Sequence, residues 1–538
     1  MNFIAKITDR WKSASRADFL FWSVIVLALV PWAYFRSQQA THSDTLWLCE
    51  VLRRFFDGIP LAEGGYETNP PLSMLVYSLP VLAKSWLGFP LHYAIFIQTT
   101  ILITISSIAT YKIMTAWQVL GKQTVQVITA GYILAMTVGV SIYHGERDHL
   151  VALGLIPFLL AQLTLTFKLP QAAGWMKPVF AAGAILILLK PHHGLIPTLL
   201  LAHRAIRQRR LSVVFDADFI SLALAVLGYA ALIFTIFPDY AFIIFPDVVK
   251  LYLPIGSMDY TYSALRWIAA LCFGLALAAT LIKIKREETL IMLFLSVAAA
   301  LSLIPYAVQK MGFYYHLIPV LAFLFMCFSI TALGMLRQEV KSNALRGLMV
   351  VLLMTTLSYV FAPLNIKYPD HKAFTQTPLA KIITDCPNPK DCKFFMLNRE
   401  MGIMHETAYY TGTVMASRFA SPWFIKSVLD TEKNKEKGVD GPLTPTEYNH
   451  YLNRYAQMTA EDLNNFKPQH LIIWDWKLIG PEEGFVAFLS QNKEFAKAMR
   501  AYQKKGPFHI NYINYYTGLE KTKDEVLDYT VYERKPGK

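Results

Sequence analysis

The sequence predicts a polytopic α-helical membrane protein, with about eleven transmembrane helices and a C-terminal extracytoplasmic α/β domain. Three observations predict it. The 538 residues are 54% hydrophobic and 17% charged, with a mean hydropathy of +0.35; soluble domains carry about 25% charged residues. Apolar runs of membrane length recur from residue 18 to residue 363 and then stop. Basic and acidic residues also alternate from loop to loop, as they do when Lys and Arg are retained on the cytoplasmic side.

The apolar runs lie near 18–36, 90–116, 125–142, 149–167, 178–190, 192–203, 215–237, 263–282, 289–308, 314–336 and 346–363. Each approaches the length that a hydrocarbon core of about 30 Å requires. The pair at 178–203 is short, and reads either as two short spans or as one re-entrant hairpin. The first run follows a basic start but continues too long for a cleavable signal peptide. With Lys6, Arg10, Lys12 and Arg16 in the cytoplasm, the cytoplasmic turns hold Lys122, Lys168, Lys177, Arg204, Arg207, Arg209, Arg210, Lys283, Lys285, Arg286, Arg337, Lys341 and Arg346. The opposite loops hold Asp44 to Glu67, Glu146, Asp148, Asp239, Asp247 and Asp259. The net charge of +13 is therefore a topology signal. No zinc-finger or RNP-like pattern accompanies it, so nucleic acid is not an expected partner. Five cysteines are too few for a disulfide scaffold. No internal repeat of the kind common in transporters is visible.

Composition divides the chain into a membrane domain, 1–363, with an outer loop at 37–89, and a soluble periplasmic domain, 364–538. In the latter, "KFFML" and "HLIIWD" read as buried strands, and "PTEYNHYLNRYAQM" and "EEGFVAFLSQNKEFAKAMRAYQ" as helices. Cys386 and Cys392 flank a "PNPKD" turn. In an oxidising compartment they form a small disulfide loop; the alternative is two free thiols. The aromatics of "SRFASPWF" and "WDW" serve either carbohydrate binding or core packing.

Residues 41–72, "THSDTLWLCEVLRRFFDGIPLAEGGYETNPPL", gather Asp44, Glu50, Asp57, Glu63 and Glu67 directly after the first span. The following "NPPLSMLVYSLPVLAKSWLG" is too rich in proline for a span and reads as an interfacial helix. A first span, a long outer loop with an early Asp, and then "DGIPL...Y.TNPPL" together resemble the GT-C superfamily of membrane glycosyltransferases. The likeness is to the polyprenyl-phosphate-sugar-dependent bacterial branch, similar to dolichyl-phosphate-mannose mannosyltransferases and aminoarabinose transferases. It covers the membrane part, about two-thirds of the chain.

The resemblance implies a bacterial inner-membrane enzyme with a cytoplasmic N-terminus. Such an enzyme moves a sugar, with inversion, from a polyprenyl-phosphate donor to a glycan, lipid or protein acceptor. It implies Asp44 as the base that takes the acceptor hydroxyl's proton, chemistry a positioned carboxylate can perform. The alternative for Asp44 is a helix cap, which Ser43 could equally supply. In "YHGERDHL", Glu146 and Asp148 both match the second acidic position of such enzymes. With His144 and His149 they are also candidates to hold a divalent cation. "LLKPHHGL" and "VQKMGFYYHLIP" resemble stretches that face the lipid phosphate, which brings in Lys190, His192, His193, Lys310, Tyr315 and His316, with Arg147 as a third cation. Ionisable groups at membrane depth are costly and usually functional; the alternative for the lysines is snorkelling to the interface. Tyr314 and Tyr315 are placed to stack on a sugar. His42 either orients a substrate or is solvated. Arg53 and Arg54 read as lipid-facing charges, and Glu63 and Glu67 as solvated or acceptor-facing. The rival readings are an envelope polysaccharide polymerase or ligase, a lipid-linked sugar flippase, and a non-catalytic scaffold.

Overall fold

A computed structural model of the full chain describes residues 16–255, 266, 285–337, 370–388, 391–397, 401, 403–436, 438, 440–475, 484–511 and 526–536. It is a polytopic α-helical membrane protein with a C-terminal β-sheet domain. Among the described residues, six helices are long and apolar enough to span a membrane. These are α1 (Arg16–Gln38), α4 (Leu91–Ala116), α6 (Arg147–Thr166), α9 (Ala217–Ile236), α10 (Arg286–Gln309) and α11 (Ile318–Leu336), the last extended by a 3-10 turn over Tyr314–Leu317. Three expected spans are shorter helices: α5 (Lys122–Met136), α7 (Met176–Ile187) and α8 (Leu195–Gln208). At 1.5 Å per residue they reach roughly 18–22 Å. The expected spans at 263–282 and 346–363 lie outside the described residues.

Helix α6 is the axis of the bundle, with every residue buried except Leu165. Close approach is built into its contact with α7: a Cβ on Gly154 would meet Leu186 Cβ at 2.6 Å, and one on Gly183 would meet the Gly154 carbonyl at 3.0 Å. Small residues allow such crossings in lipid, where packing replaces the hydrophobic effect between helices. Helices α1 and α9 are peripheral and present their apolar side chains outward.

Polar contacts sort the helix ends into two groups. At one end Asp18 meets Lys122 and Gln126, Glu288 meets Thr124 and Arg337, Trp117 meets Thr164, and Arg204 meets Asp218. At the other end lie Gln38, His42, Glu146, Lys190, Asp247 and His316, together with the soluble domain. Each described helix of the bundle runs from one group to the other.

The outer loop forms a lobe. Helix α2 (Ser43–Phe56) buries Leu46, Trp47, Leu48, Val51 and Leu52 on one side. Glu50, Arg53 and Asp57 form a charged ladder at i, i+3 and i, i+4 spacing. Gly58, at φ +84°, turns the chain after it. Helix α3 (Ser78–Leu87) leaves Leu79, Trp86 and Leu87 exposed, the surface an interfacial helix presents.

The soluble domain is a five-stranded sheet of order β2-β1-β3-β5-β4. β1 (Lys393–Leu397) is parallel to β2 (Val414–Met415) and β3 (His470–Trp474); β5 (Val526–Arg534) runs antiparallel to β3 and to β4 (Tyr502–Asn511). Its helices include α12 (Met404–Thr411), α13 (Trp423–Glu436), α14 (Pro445–Phe466), α15 (Gly484–Leu489) and α16 (Lys493–Met499), besides a short one over Pro378–Ile383. The stretch expected as one helix over 482–503 is therefore, in its described part, two short helices and the start of a strand. The break falls at Asn492, whose side chain caps α16. Cys386 and Cys392 are joined in a disulfide.

Several expected surface residues are interior. Arg54 is 1% exposed and donates to the carbonyls of Gly64, Met415 and Ser417, so it is a bolt between lobe and domain rather than a lipid-facing charge. Phe419, Trp423 and Phe424 pack against Tyr66 and Tyr455, so "SRFASPWF" builds the seam rather than a carbohydrate platform. Trp476 lies outside the described residues.

Candidate active site

The turn between α5 and α6 is where the membrane and loop residues converge. Gly145, at φ +84°, leaves no room for a side chain: a Cβ would stand 2.9 Å from Thr99 Oγ1. Tyr77 donates to its carbonyl at 2.8 Å and fixes the turn against the lobe. Glu146 then caps α6, accepting Asp148 N–H at 2.9 Å through Oε2 and Arg147 Nε at 2.9 Å through Oε1. Both of its oxygens are committed.

Arg147 carries the link to the outer loop. Its Nη2 donates to Asp44 Oδ2 at 3.1 Å, while its buried Nη1 has no acceptor among the described residues. Helix α2 starts at Ser43 with His42 in the cap position, so the capping role weighed for Asp44 and Ser43 is not adopted. Asp44 faces Arg147 and not the helix's own N–H groups, and its second oxygen is engaged by no described residue. Asp44 keeps 13% of its side-chain surface exposed, against 1% for Glu146 and 0% for Asp148. Of the three candidate carboxylates, only Asp44 is accessible.

Asp148 anchors the second half of the cluster. Lys190 Nζ lies 2.7 Å from it, His316 Nδ1 3.3 Å and His193 Nε2 3.6 Å. Lys190 also donates to His316 Nδ1 at 3.0 Å and sits 5.1 Å from the centre of the Tyr315 ring. Pro191 and Gly312 place these groups: each breaks the chain next to a span, and a 3-10 turn turns the side chains inward.

An aromatic wall joins the two halves. Tyr143 lies 5.3 Å from His42, 5.5 Å from Tyr315 and 6.2 Å from Tyr314. His42 is buried, which settles against the solvated reading. Burial pushes its pKa below the ordinary value against the pull of Asp44, so it is neutral near pH 7.

The structure thus brings Asp44, Glu146, Arg147, Asp148, Lys190, His193, Tyr315 and His316 into one buried constellation. His192 stands at its edge, its Nε2 2.8 Å from Gln309 Nε2. Lys310 is exposed at the left-handed end of α10 and does not join the cluster. Among the described residues, no three His, Cys or carboxylate side chains are placed to hold a metal ion.

Glu67, expected to be solvated or acceptor-facing, is buried. It accepts Trp47 Nε1 at 2.5 Å on one oxygen, and the Asn69 backbone, the Asn69 side chain and Thr68 on the other. The signal was local: Asn two residues after Glu, held by the two prolines that follow, forms a turn that turns its donors back on the carboxylate. Tyr66 beside it joins Asp247 and Arg454, a further tie between lobe, bundle and domain.

No protein-family model matches the chain, and no curated protein matches it. Among solved structures it is similar to ArnT from Cupriavidus metallidurans in the apo state, at 14% identity over 85% of this chain and 92% of that one, with a TM-score of 0.37. It is also similar to the same protein bound to undecaprenyl phosphate, at 12% identity over 96% and 98%, TM-score 0.39. A third likeness is to the archaeal oligosaccharyltransferase AglB from Archaeoglobus fulgidus, in complex with an inhibitory peptide and a dolichol-phosphate. There the identity is 12% over 92% of this chain and 74% of that one, with a TM-score of 0.42.

Proposed function

We propose that the protein is a GT-C-type glycosyltransferase that moves a sugar from a polyprenyl-phosphate donor to a hydroxyl acceptor at the outer face of a bacterial inner membrane. One observation carries the reading: an accessible carboxylate, Asp44, stands beside the buried Arg147, in the same cluster as the Lys190–Asp148 pair, where bundle, outer loop and soluble domain meet. A lipid-linked donor presents its sugar at that depth.

In this reading the acceptor oxygen forms a bond to the anomeric carbon as the bond from that carbon to the phosphate oxygen breaks. The acceptor's proton passes to the free oxygen of Asp44. The electron pair leaves with the phosphate, which remains on the polyprenol. A single displacement inverts the anomeric centre, and its transition state has oxocarbenium character. Arg147 Nη1 and the Lys190 ammonium would stabilise charge developing on the leaving phosphate, and donors already buried do this with little reorganisation. Glu146 would hold Arg147 in place, and Asp148 would do the same for Lys190 and His316. Tyr143, Tyr314 and Tyr315 would form the sugar wall.

Eleven crossings and an extracytoplasmic C-terminal domain belong to the same proposal. The alternation of helix ends supports them, as does His371 Nδ1 lying 2.7 Å from the Gln38 carbonyl, which puts the domain's start beside the outer end of α1. An even number of crossings between them follows.

The test is transfer of a radiolabelled sugar from a synthetic polyprenyl-phosphate donor by purified Asp44→Asn. General-base catalysis contributes roughly 10²–10⁴-fold, so turnover should fall by that factor with the fold intact. Near-wild-type turnover would sink the reading.

A further inference from the structure

The end of the bundle opposite Asp44 carries a second concentration of charge, which the transfer reading does not use. Helix α8 finishes in "HRAIRQRRLSVVF", where Arg207, Arg209 and Arg210 are exposed beside Ile206, Leu211 and Phe215, which are also exposed. Lys168, in the neighbouring turn, is exposed next to Phe167, and the Arg207 guanidinium lies over the Phe167 ring at 4.7 Å. Between Phe167 and Asp218 the only carboxylates are Asp216 and Asp218. Both are taken: Asp218 by Arg204 at 2.8 Å, and Asp216 by Arg210 at 2.7 Å. Lys168, Arg207 and Arg209 have no carboxylate partner among the described residues.

Arg204 supplies an independent observation. It is 1% exposed, and only its Nη2 is used; Nε and Nη1 are buried with no acceptor among the described residues. Leaving donors of a buried cation unpaired is expensive. An acceptor with several anionic oxygens would satisfy them together with the exposed arginines, and the adjacent Ile206, Leu211 and Phe215 suit the acyl region just below a headgroup.

We propose that Lys168, Arg204, Arg207 and Arg209 form a binding site for the headgroup of an anionic phospholipid, in the leaflet opposite the candidate active site. Phosphate oxygens accept from the guanidinium groups, and the acyl chains lie along the exposed apolar side chains. This inference rests on the membrane topology and not on glycosyl transfer.

The full chain, purified in nonionic detergent, is titrated with dioleoyl phosphatidylglycerol or dioleoyl phosphatidylcholine while the thermal midpoint and native mass spectra are recorded. Phosphatidylglycerol should stabilise saturably with discrete bound adducts, and phosphatidylcholine should not. A basic residue near a lipid surface contributes on the order of fivefold in affinity. Arg207→Gln with Arg209→Gln should therefore weaken phosphatidylglycerol binding by roughly 25-fold. Lys285→Gln with Arg286→Gln removes the same charge elsewhere at this end and should leave binding unchanged. Equal stabilisation by phosphatidylcholine, equal loss in both double variants, or equal stabilisation by inorganic phosphate would each overturn the proposal. The first would reduce it to apolar contact, the second to diffuse charge and the third to a soluble anion.

Discussion

Asp44, Glu146 and Asp148 carry the same functional group, and their surroundings separate them. Glu146 spends both oxygens on its own helix and on Arg147, Asp148 is enclosed by Lys190 and two histidines, and Asp44 keeps one oxygen open. Sequence could bring all three forward, since acidic residues beside spans are visible in one dimension. It could not rank them, because burial and partner count depend on residues as distant as Lys190 and His316. The lysines separate in the same way. Lys190→Met leaves Asp148 with only histidine partners and removes a buried cation, so donor binding and stability should both fall, the latter by about 3–5 kcal/mol. Lys310→Met acts on an exposed side chain outside the cluster and should change transfer by less than about twofold. Binding of a polyprenyl phosphate and the unfolding midpoint, measured on both variants, would check the contrast.

Among elements, α2 does the most joining. Its amphipathic pattern was legible, but what covered its inner face was not. Trp47 meets His405 at 5.1 Å, and Arg54 reaches across to the domain's backbone. Arg54→Met should cost roughly 3–5 kcal/mol, because it strands three buried carbonyls and frees Glu50 of a partner. A lowered unfolding midpoint, with the domain cleaved from the bundle by limited proteolysis, is the expected result. Acid should loosen the same seam. Burial holds the His405 pKa at about 4, so its contribution is complete above about 6.5 and is lost as pH falls through 4. Burial raises the Glu50 carboxyl, but Arg54 and Arg53 outweigh it and hold it at about 2; its contribution is complete above about 4.5 and is lost on the way to 2. Thermal midpoints followed from pH 7.5 to 2 should fall between about 6.5 and 4 and again below about 4.5, and His405→Gln should make the first fall smaller. The longest strands, β4 and β5, were the least legible. Tyr502 and Gln503 of "YQKKGPFHIN" close the stretch expected as a helix, yet β4 is an edge strand with a register shift between Lys504 and Gly506, where Lys, Gly and Pro are tolerated and deter further pairing.

At the scale of the whole molecule, alternation of helix ends is the property that hydropathy gave most directly. Lipid forces every spanning segment to satisfy its own backbone, so span positions are written locally. The shortness of α7 and α8 was written in the short runs at 178–203, but that of α5, expected over 125–142, was not, since its end is set by packing at the site. Reporter fusions check the alternation. Alkaline phosphatase joined at Lys538 should be active, and fusions within 204–212 and 283–288 should be silent; an inactive C-terminal fusion would remove an odd number of crossings. The bolt between Arg54 and the Met415 carbonyl adds a consequence in time. Those residues are 361 positions apart, and a ribosome adding 5–20 residues per second needs roughly 20–70 s to pass from one to the other. For that interval α2 has the neighbouring lobe to pack on but lacks His405 and the domain backbone, which complete the burial of Trp47 and Arg54. Holding factors and proteases therefore have access to this helix before the chain is finished. A chain ended at Thr411 should prolong that state indefinitely, so pulse-labelled truncated protein should be cleaved near α2 within minutes while the full-length protein persists.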